Sequence, residues 1–260
     1  MTHLISRTVR SVSPRLWQQI KYRQYFASAW GEREIQIVDR FVDPSRAALD
    51  IGVSLGMYTR HLAKYAKEVI GFEANPDSAE FARRSLLGIA KIEWVALSSE
   101  PGTAVLRVPI DGDCDQAAAL GTVSPGNTLG GMPCREISVP TKTLDTFDLP
   151  PVGFVKMDVE GHEEAVLEGG KRLLAQHRPV WMIEIEEAHN PGSLDRLIRH
   201  FEAQDYYVLF YDGSALRHIA EFDTLQHQAR GISPIYINNF FFLPLEFKQF
   251  MPDLNHPPVH

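Results

Sequence analysis

Short apolar runs alternate with longer amphipathic stretches along most of the 260-residue chain. The runs predict β-strands, and the stretches, with apolar residues three or four positions apart, predict α-helices. Strands are expected at residues 47–51, 68–72, 92–98, 103–108, 152–157, 180–185, 206–211 and 235–243, and helices at 32–41, 57–65, 77–87, 163–176 and 193–203. This alternation indicates a doubly wound α/β fold with a mostly parallel sheet and right-handed crossovers. No helical stretch precedes the last run, so an antiparallel return is expected there.

The sequence AALDIGVSLGMYT, residues 47–59, is the first stretch whose pattern indicates a binding site. An apolar strand reaches Asp50, and Gly52 and Gly56 then allow a sharp turn into a helix with a ligand close to the backbone. Glu73, at the end of the next strand, stands where an acid accepts hydrogen bonds from both hydroxyls of a ribose. Together these residues indicate a site for an adenosine.

The spacing of Gly52 and Gly56 is G-x-x-x-G, which differs from the G-x-G-x-x-G loop that cradles the pyrophosphate of a dinucleotide. A cofactor without a pyrophosphate is therefore favoured, and S-adenosylmethionine (SAM) is the candidate. The alternative is a glycine-containing turn that binds nothing, which many α/β proteins contain.

A second informative stretch is FVKMDVEGHE, residues 154–163. Its strand delivers a group of acids to the carboxyl edge of the sheet, where open α/β folds bind their ligands. Carboxylates crowded together raise one another's pKa, which provides a group able to accept a proton near neutral pH. We expect Asp158 to be this base, followed in preference by Glu160 and His162. The alternative for Glu163 and its neighbour is that they only occupy the first helical turn, where the helix dipole favours acids.

Acids also follow the strand expected at residues 180–185. Glu184, Glu186 and Glu187 lie there with His189 just beyond, and carboxylates with an imidazole are ligands of divalent metals. No ligand spacing singles out a metal, so we expect none and keep a metal site as an alternative.

Composition narrows the class of partner. The chain has 44% hydrophobic and 23% charged residues, as an ordinary globular protein does. Its net charge of −7 argues against nucleic acid, which needs a basic face, and favours a small-molecule substrate. Cys114 and Cys134 show no C-x-x-C spacing, so neither a disulfide nor a zinc site is favoured and the cytoplasm is the expected compartment. No apolar run is long enough for a transmembrane segment, and the N-terminus lacks the apolar core of a secretory signal.

Charge is unevenly distributed between the start of the chain and the rest. Residues 1–31 contain five basic residues and no acid, so they carry +5 and the remainder carries −12. Apolar residues between these bases predict an amphipathic helix that packs on its own domain. The alternatives for this helix are a cover over the active site, contact with an anionic membrane or with a second copy, and a transit peptide.

We divide the chain into three parts on these patterns. A basic, aromatic helical extension covers residues 1–43, a SAM-binding domain covers 44–246, and a C-terminal tail covers 247–260, whose last stretch, PDLNHPPVH, is expected to be disordered. Within the domain, the irregular stretch 110–135 is expected to be a loop on the substrate side of the sheet.

Seven segments follow one another between about residues 47 and 243: LDIGVSLGMYT, GFEANP, VALSSEPGTAVL, VPTKTLDTF, FVKMDVEGHEEAVLEGG, RPVWMIEIEE and NNFFFLP. This ordered set resembles the FkbM-type SAM-dependent methyltransferase family. The resemblance implies a class I methyltransferase (Rossmann-like) sheet of seven strands, with the last strand antiparallel and inserted. It also implies methyl transfer, usually to an oxygen of a sugar, a polyketide or a related metabolite.

The resemblance also implies roles for individual residues. The second family signature corresponds to Lys156, Asp158, Glu160, Gly161 and Glu163, and the residues expected to bind SAM are Asp50, Gly52, Gly56, Thr59, Glu73, Ser98 and Asp158. The chain departs from the family pattern at Val53 and Ser54, where members often have Asn or Ala, and at residues 74–76, where Ala-Asn-Pro follows the acid instead of Pro. Neither departure removes a glycine or the acid.

The leading hypothesis is O-methylation by in-line displacement, in which a base removes the proton of the attacking hydroxyl. One rival is a nucleotide-dependent oxidoreductase that uses the same loop, which the G-x-x-x-G spacing disfavours. The other is a SAM-binding module without turnover, in which the acids at the strand ends are only structural.

Overall fold

A mixed β-sheet forms the centre of the computed structural model, which describes residues 9–27, 32–110, 120–229 and 236–250. The strands are β1 Ala47–Ile51, β2 Glu68–Glu73, β3 Lys91–Trp94, β4 Ala96–Leu97, β5 Gly102–Pro109, β6 Cys134–Lys142, β7 Val152–Met157, β8 Val180–Glu184, β9 Tyr206–Tyr211, β10 Leu216–His218 and β11 Asn239–Pro244. The main sheet has the order β10-β9-β11-β8-β7-β1-β2-β3. Strand β11 is antiparallel to both β8 and β9 and lies between them.

This order confirms the doubly wound α/β fold and the inserted antiparallel last strand. The main sheet has eight strands where the resemblance implied seven. The additional strand is β10, which folds back on β9 as an antiparallel hairpin. Its three residues are too few and too polar to show strand periodicity in the sequence, since two of them, Arg217 and His218, are exposed.

The central strands are buried on both faces, because helices or other chain segments cover each side of the sheet. All residues of β1, β7 and β11 are buried. Phe240, Phe241 and Phe242 on β11 have no exposed surface, and Phe241 stacks on Phe41 with ring centroids 4.6 Å apart. Such continuous apolar runs are typical of interior strands. The last strand, expected at 235–243, begins later, at Asn239.

The helices are α1 Pro14–Ala27, α2 Met57–Leu62, α3 Pro76–Ser85, α4 Glu163–Glu168, α5 Lys171–His177, α6 Ser193–Glu202 and α7 Thr224–His227. Two helix predictions were wrong in detail. The stretch 32–41 forms two 3-10 helices, Arg33–Gln36 and Val38–Phe41. The helix expected at 163–176 is broken into α4 and α5 at Gly169, where an added Cβ would lie 2.1 Å from the carbonyl oxygen of Ser98.

A small second sheet lies beside the main one and has the order β4-β6-β5. The strand expected at 92–98 is divided at Val95, so that β3 pairs with β2 while β4 pairs with β6. Strand β6, which pairs with β5 along its length, was not predicted as a strand. It begins at Cys134, so the irregular stretch ends two residues earlier than expected. Cys134 begins β6 and is a free thiol, while Cys114 lies outside the described residues.

Helix α1 packs against α2 and α3 through one buried side. Trp17 contacts Phe81 edge-on with ring centroids 5.4 Å apart. The Gln18 side chain donates a hydrogen bond from Nε2 to the carbonyl oxygen of Gly56 at 2.9 Å, and the Tyr22 hydroxyl lies 2.7 Å from Nδ1 of His61. In the described part of the chain, no helix combines the length and the apolar character needed to cross a membrane. The tail from residue 251 onward lies outside the described residues.

Candidate functional site

The turn between β1 and α2 brings two glycines to the carboxyl edge of the sheet. Gly52 and Gly56 have φ angles of +89° and +72°, in the left-handed region that favours glycine. An added Cβ on Gly52 would lie 1.8 Å from the carbonyl oxygen of Asp158. The turn therefore requires a residue without a side chain, because the ends of β1 and β7 approach too closely for any Cβ.

Glu73 ends β2 beside this turn and is held by two backbone amides. Its Oε2 accepts a hydrogen bond from the amide of Ser54 at 2.7 Å, and its Oε1 accepts one from the amide of Asn75 at 2.8 Å. Burial raises the pKa of Glu73 to about 7, and the two amides oppose this rise by stabilising the carboxylate. Each carboxylate oxygen retains a second lone pair, so the group remains able to accept hydrogen bonds from a ligand.

A cleft opens at this edge of the sheet. Its polar lining comes from Gly52, Ser54, Glu73, Asp158 and His162, among other residues. Its apolar lining comes from residues on several elements: Ile51, Phe72, Val95, Ala96, Leu97, Leu106, Val123 and Val159. An apolar lining with a few polar groups suits a nucleoside, whose base is largely apolar and whose ribose is polar.

Four of the residues expected to contact the cofactor lie behind the lining of this cleft. Asp50 and Thr59 are buried beneath the turn, where the Thr59 hydroxyl donates a hydrogen bond to Oδ2 of Asp50. Gly56 directly precedes α2 and is not among the residues that line the cleft. Ser98 reaches the site only through His162, with its Oγ 3.0 Å from Nε2 of the ring.

Asp158 follows β7 and lies next to the glycine turn. Its amide donates a hydrogen bond to the carbonyl oxygen of Ile51 at 2.9 Å. Burial raises the pKa of the Asp158 carboxyl to about 8; Lys156 opposes this rise, and Glu160 adds to it. The pKa of His162, which also lines the cleft, is lowered by burial, so its ring is neutral at pH 7. The cleft thus contains two groups able to accept a proton near neutral pH.

Glu160 has a φ of +54°, a conformation that is rare for residues other than glycine. Two side chains from the irregular stretch hold its carbonyl oxygen, with Thr122 Oγ1 at 2.8 Å and Asn127 Nδ2 at 2.9 Å. The described part of that stretch is therefore attached to the second motif, next to the cleft. This attachment depends on contacts between residues more than thirty positions apart, and no local pattern in the sequence indicates it.

His189 links the acids at the ends of β7 and β8. Its Nδ1 lies 3.0 Å from Oε2 of Glu160, and its Nε2 lies 3.4 Å from Oε2 of Glu186. The hydrogen bond to Glu160 raises the pKa of His189. Among the described residues, no group of three or more His, Cys, Asp or Glu side chains is placed to hold a metal ion. The position of His189 identifies it as a counter-charge for the two acids, which the sequence did not indicate.

Lys156 provides a second counter-charge below the cleft. Its buried ammonium lies 3.8 Å from Oε2 of Glu184 and 5.2 Å from the centre of the Tyr58 ring. Burial acts to lower the pKa of Lys156, but the surrounding carboxylates, Asp158 first among them, raise it overall. An ammonium in this position limits the repulsion among acids that the sheet crowds together.

We predict that the close approach at Gly52 makes it far less replaceable than a glycine of similar φ in open space. Gly52→Ala should lower the free energy of unfolding by at least about 3 kcal/mol, because the new Cβ adds a clash with backbone to the cost of a positive φ. Gly88→Ala is the matched control, since Gly88 has a φ of +75° with nothing within 4 Å of an added Cβ, and it should cost about 1 kcal/mol. Urea unfolding measures both, and equal losses would contradict the prediction.

We also predict that the ligand-free protein becomes less stable as pH rises from about 5 to about 8. The folded state raises the pKa of Glu73 and Glu163 to about 7 by burial. A carboxyl whose pKa is raised by folding stabilises the fold while protonated, and this contribution is lost as pH rises through the folded-state pKa. Urea unfolding across this range should show the decline. Glu163→Gln should make it shallower and the exposed Glu80→Gln should not, whereas equal slopes in all three proteins would refute the assignment.

The chain matches a protein-family model and is similar to several solved structures. The model of the methyltransferase FkbM domain family matches residues 50–208. Among solved structures, an FkbM methyltransferase from Methylobacillus flagellatus KT is 17% identical, with a TM-score of 0.49; the match covers 78% of this chain and 44% of that one. This chain therefore spans less than half the length of that relative. An rRNA methylase from Streptococcus thermophilus is 13% identical, with a TM-score of 0.46 and coverage of 82% and 94%.

A SAM-dependent methyltransferase from Aquifex aeolicus is 14% identical to this chain, with a TM-score of 0.40 and coverage of 81% of this chain and 88% of that one. Comparison with curated proteins gives no significant match. The family model spans more than half of the chain and includes both the glycine turn and the second motif. The chain belongs to the FkbM methyltransferase family, and its cofactor is S-adenosylmethionine.

Proposed function

We propose that this protein methylates a hydroxyl oxygen of a small metabolite, a sugar or a polyketide, with Asp158 as the base. The observation that carries the proposal is Asp158 at the end of β7, whose backbone lies against the turn that the family uses for its cofactor and whose carboxyl has a raised pKa and lines the cleft. A hydroxyl needs a proton acceptor as its oxygen becomes a nucleophile, and a group with a pKa near the working pH is best suited to this role.

The residues that line the cleft fit SAM. Glu73 retains carboxylate lone pairs that can accept hydrogen bonds from the ribose, and the apolar residues around Ala96 suit the adenine. The acids at the sheet edge favour a ligand that carries positive charge, and they disfavour the phosphates of a dinucleotide. SAM, when bound, supplies a methyl group on a positively charged sulfur.

The side chains of this chain then have two tasks. Asp158 holds the proton that the acceptor hydroxyl loses. Glu160 and His162 are the next candidates for this task. The charge of Glu160 raises the pKa of Asp158, and His162 lines the same cleft. Lys156 and His189 hold the surrounding acids in place, so that the acceptor meets an ordered array of charges. Alignment of the two reactants in a closed cleft supplies most of the rate, and proton removal adds about a hundredfold or more.

Methyl-labelled SAM incubated with the protein and a metabolite extract tests this function directly. Mass spectrometry should find the label in a small molecule, on an oxygen. Label in RNA from the same cells would show that the acceptor is RNA and not a small molecule. Tight binding of S-adenosylhomocysteine with no methyl transfer to any fraction would identify a binding module without turnover.

We predict that Glu73→Gln weakens cofactor binding without preventing folding. The amide offers one acceptor where the carboxylate offers two, and the loss of a charged hydrogen-bond acceptor should raise the Kd for S-adenosylhomocysteine about 10- to 100-fold. Calorimetry measures the Kd, and circular dichroism verifies that the variant is folded. Glu80→Gln, on the exposed side of α3, is the matched control and should leave the Kd unchanged. A native Kd in a folded Glu73→Gln would remove Glu73 from the cofactor site.

We predict that Asp158→Asn lowers kcat about a hundredfold or more while the Kd for S-adenosylhomocysteine changes only a few-fold. In the native protein, kcat/KM should rise with pH and level off above about pH 8, because the base must be deprotonated in the free enzyme. Glu160→Gln should move this inflection to lower pH, since the charge of Glu160 raises the pKa of Asp158. Full turnover in both variants would reject these carboxyls as the base and leave His162, tested by His162→Asn, as the candidate.

A further inference from the structure

The helix α1 is apolar on two sides, and only one of them is covered by the protein. Trp17, Gln18 and Tyr22 are buried against α2 and α3. On the opposite side, Val12, Leu16 and Ile20 are 79%, 50% and 44% exposed. Leu16 and Ile20, four residues apart, lie in one line along α1. Val12 lies in the helical turn at residues 9–12, which ends at Ser13 just before α1 begins at Pro14. We call these three residues the outer stripe of α1.

Basic side chains surround the outer stripe. Arg15 and Arg23 are exposed on α1 itself, which contains no acidic residue. The neighbouring chain adds Arg60 from α2, Lys64 from the turn after α2 and Arg84 from the end of α3. Arg84 donates a hydrogen bond to the carbonyl oxygen of Ser11 at 3.3 Å, which places it at the start of α1. This face is therefore cationic although the whole chain has a net charge of −7.

A groove beside the stripe combines the same two properties. It runs between α1 and α2, with Tyr22, Phe26 and Ile89 among its apolar lining residues and with Arg23, Arg60 and Lys64 as its cations. Lys64 lies 4.5 Å from the centre of the Tyr22 ring and donates a hydrogen bond to the Tyr22 hydroxyl. The cations around this groove suit the phosphate of a lipid headgroup, and the apolar side chains of the outer stripe suit the acyl chains of the same lipid layer.

We propose that the outer stripe of α1 and the bases around it form a docking surface for an anionic phospholipid bilayer. Exposed aliphatic side chains in a line, bordered by arginine and lysine, are the pattern of a helix that lies in the membrane interface. RNA would use the cations but not the aliphatic stripe. The buried side of α1 orients the stripe outward, because Gln18 and Trp17 attach the helix to the domain.

The same attachment connects the docking surface to the cofactor turn. Gln18 donates its hydrogen bond to Gly56, the residue at which α2 begins after the glycine turn. A bilayer on α1 would thus lie one helix away from the cleft, and an acceptor carried in or near the membrane would reach the protein at this side. The proposal does not depend on which acceptor the enzyme uses.

Vesicle flotation with the full chain tests the proposal. The protein should float with vesicles of phosphatidylcholine mixed with phosphatidylglycerol, float far less with phosphatidylcholine alone, and lose binding in high salt. Leu16→Gln with Ile20→Gln should weaken binding about tenfold or more, because two exposed apolar side chains no longer enter the interface. Leu225→Gln with Val105→Gln is the matched control, since both residues are exposed elsewhere on the surface at 82% and 51%, and it should bind as the native protein does.

Charge is tested with a second matched pair. Arg23→Gln should weaken binding to the anionic vesicles about fivefold, and Arg199→Gln, exposed on α6, should not. Binding that is equal in the stripe variant and its control, or absent with anionic vesicles, overturns the proposal. It is also overturned if sedimentation shows that the stripe holds two copies together, or if RNA competes for the protein while vesicles do not. If methyl transfer or SAM binding fails in the native protein and in every variant, the proposed function is overturned. The flotation result still tests the docking surface by itself.

Discussion

The approach of two strand ends at the carboxyl edge of the sheet determines the rest of the site. Gly52 and Asp158 lie so close that a Cβ on the glycine would fall 1.8 Å from the carbonyl oxygen of the aspartate. This contact places the last residues of β1 and β7 side by side, and the glycine turn and the acid motif consequently face the same cleft. The two sequence motifs, about a hundred residues apart, form one site because the backbone at Gly52 has no side chain.

The site also concentrates negative charge in a place where burial disfavours it. Asp158, Glu73 and Glu163 all have a raised pKa for this reason, and Lys156 and His189 are the cations that compensate. Carboxyls arranged in this way reduce stability when they ionise, and they gain a favourable partner when a cationic ligand enters. A cationic ligand in the cleft would therefore relieve repulsion among groups that the fold has already assembled.

The pattern of the sequence predicted the strands of the main sheet well, because interior strands such as β1, β7 and β9 are continuous apolar runs bounded by turns. It also led to the family, the fold and the cofactor, which are confirmed. Features that depend on distant contacts were not predictable. The helix breaks at Gly169, where the backbone of Ser98 leaves no room for a Cβ, and β6 is recognisable only through its pairing with β5.

Some site residues were likewise predictable from a local motif, and others depend on contacts between distant parts of the chain. Gly52, Glu73 and Asp158 line the cleft, as local motifs suggested, whereas Asp50 and Thr59 support the turn from below. The role of His189 depends on two acids from different strand ends. The contacts of His189 with these two acids cannot be read from the linear sequence. Only the folded chain indicates that His189 compensates their charge.

The two edges of the main sheet have a consequence for how molecules of this protein meet. One edge is β10, three residues long with exposed Arg217 and His218, and the other is β3, four residues long with Lys91 and Glu93 on it. Short, charged edge strands resist pairing with a strand from another molecule. The sheet is thus closed to extension at both ends, which protects a protein with such an apolar interior from growing into β-aggregates.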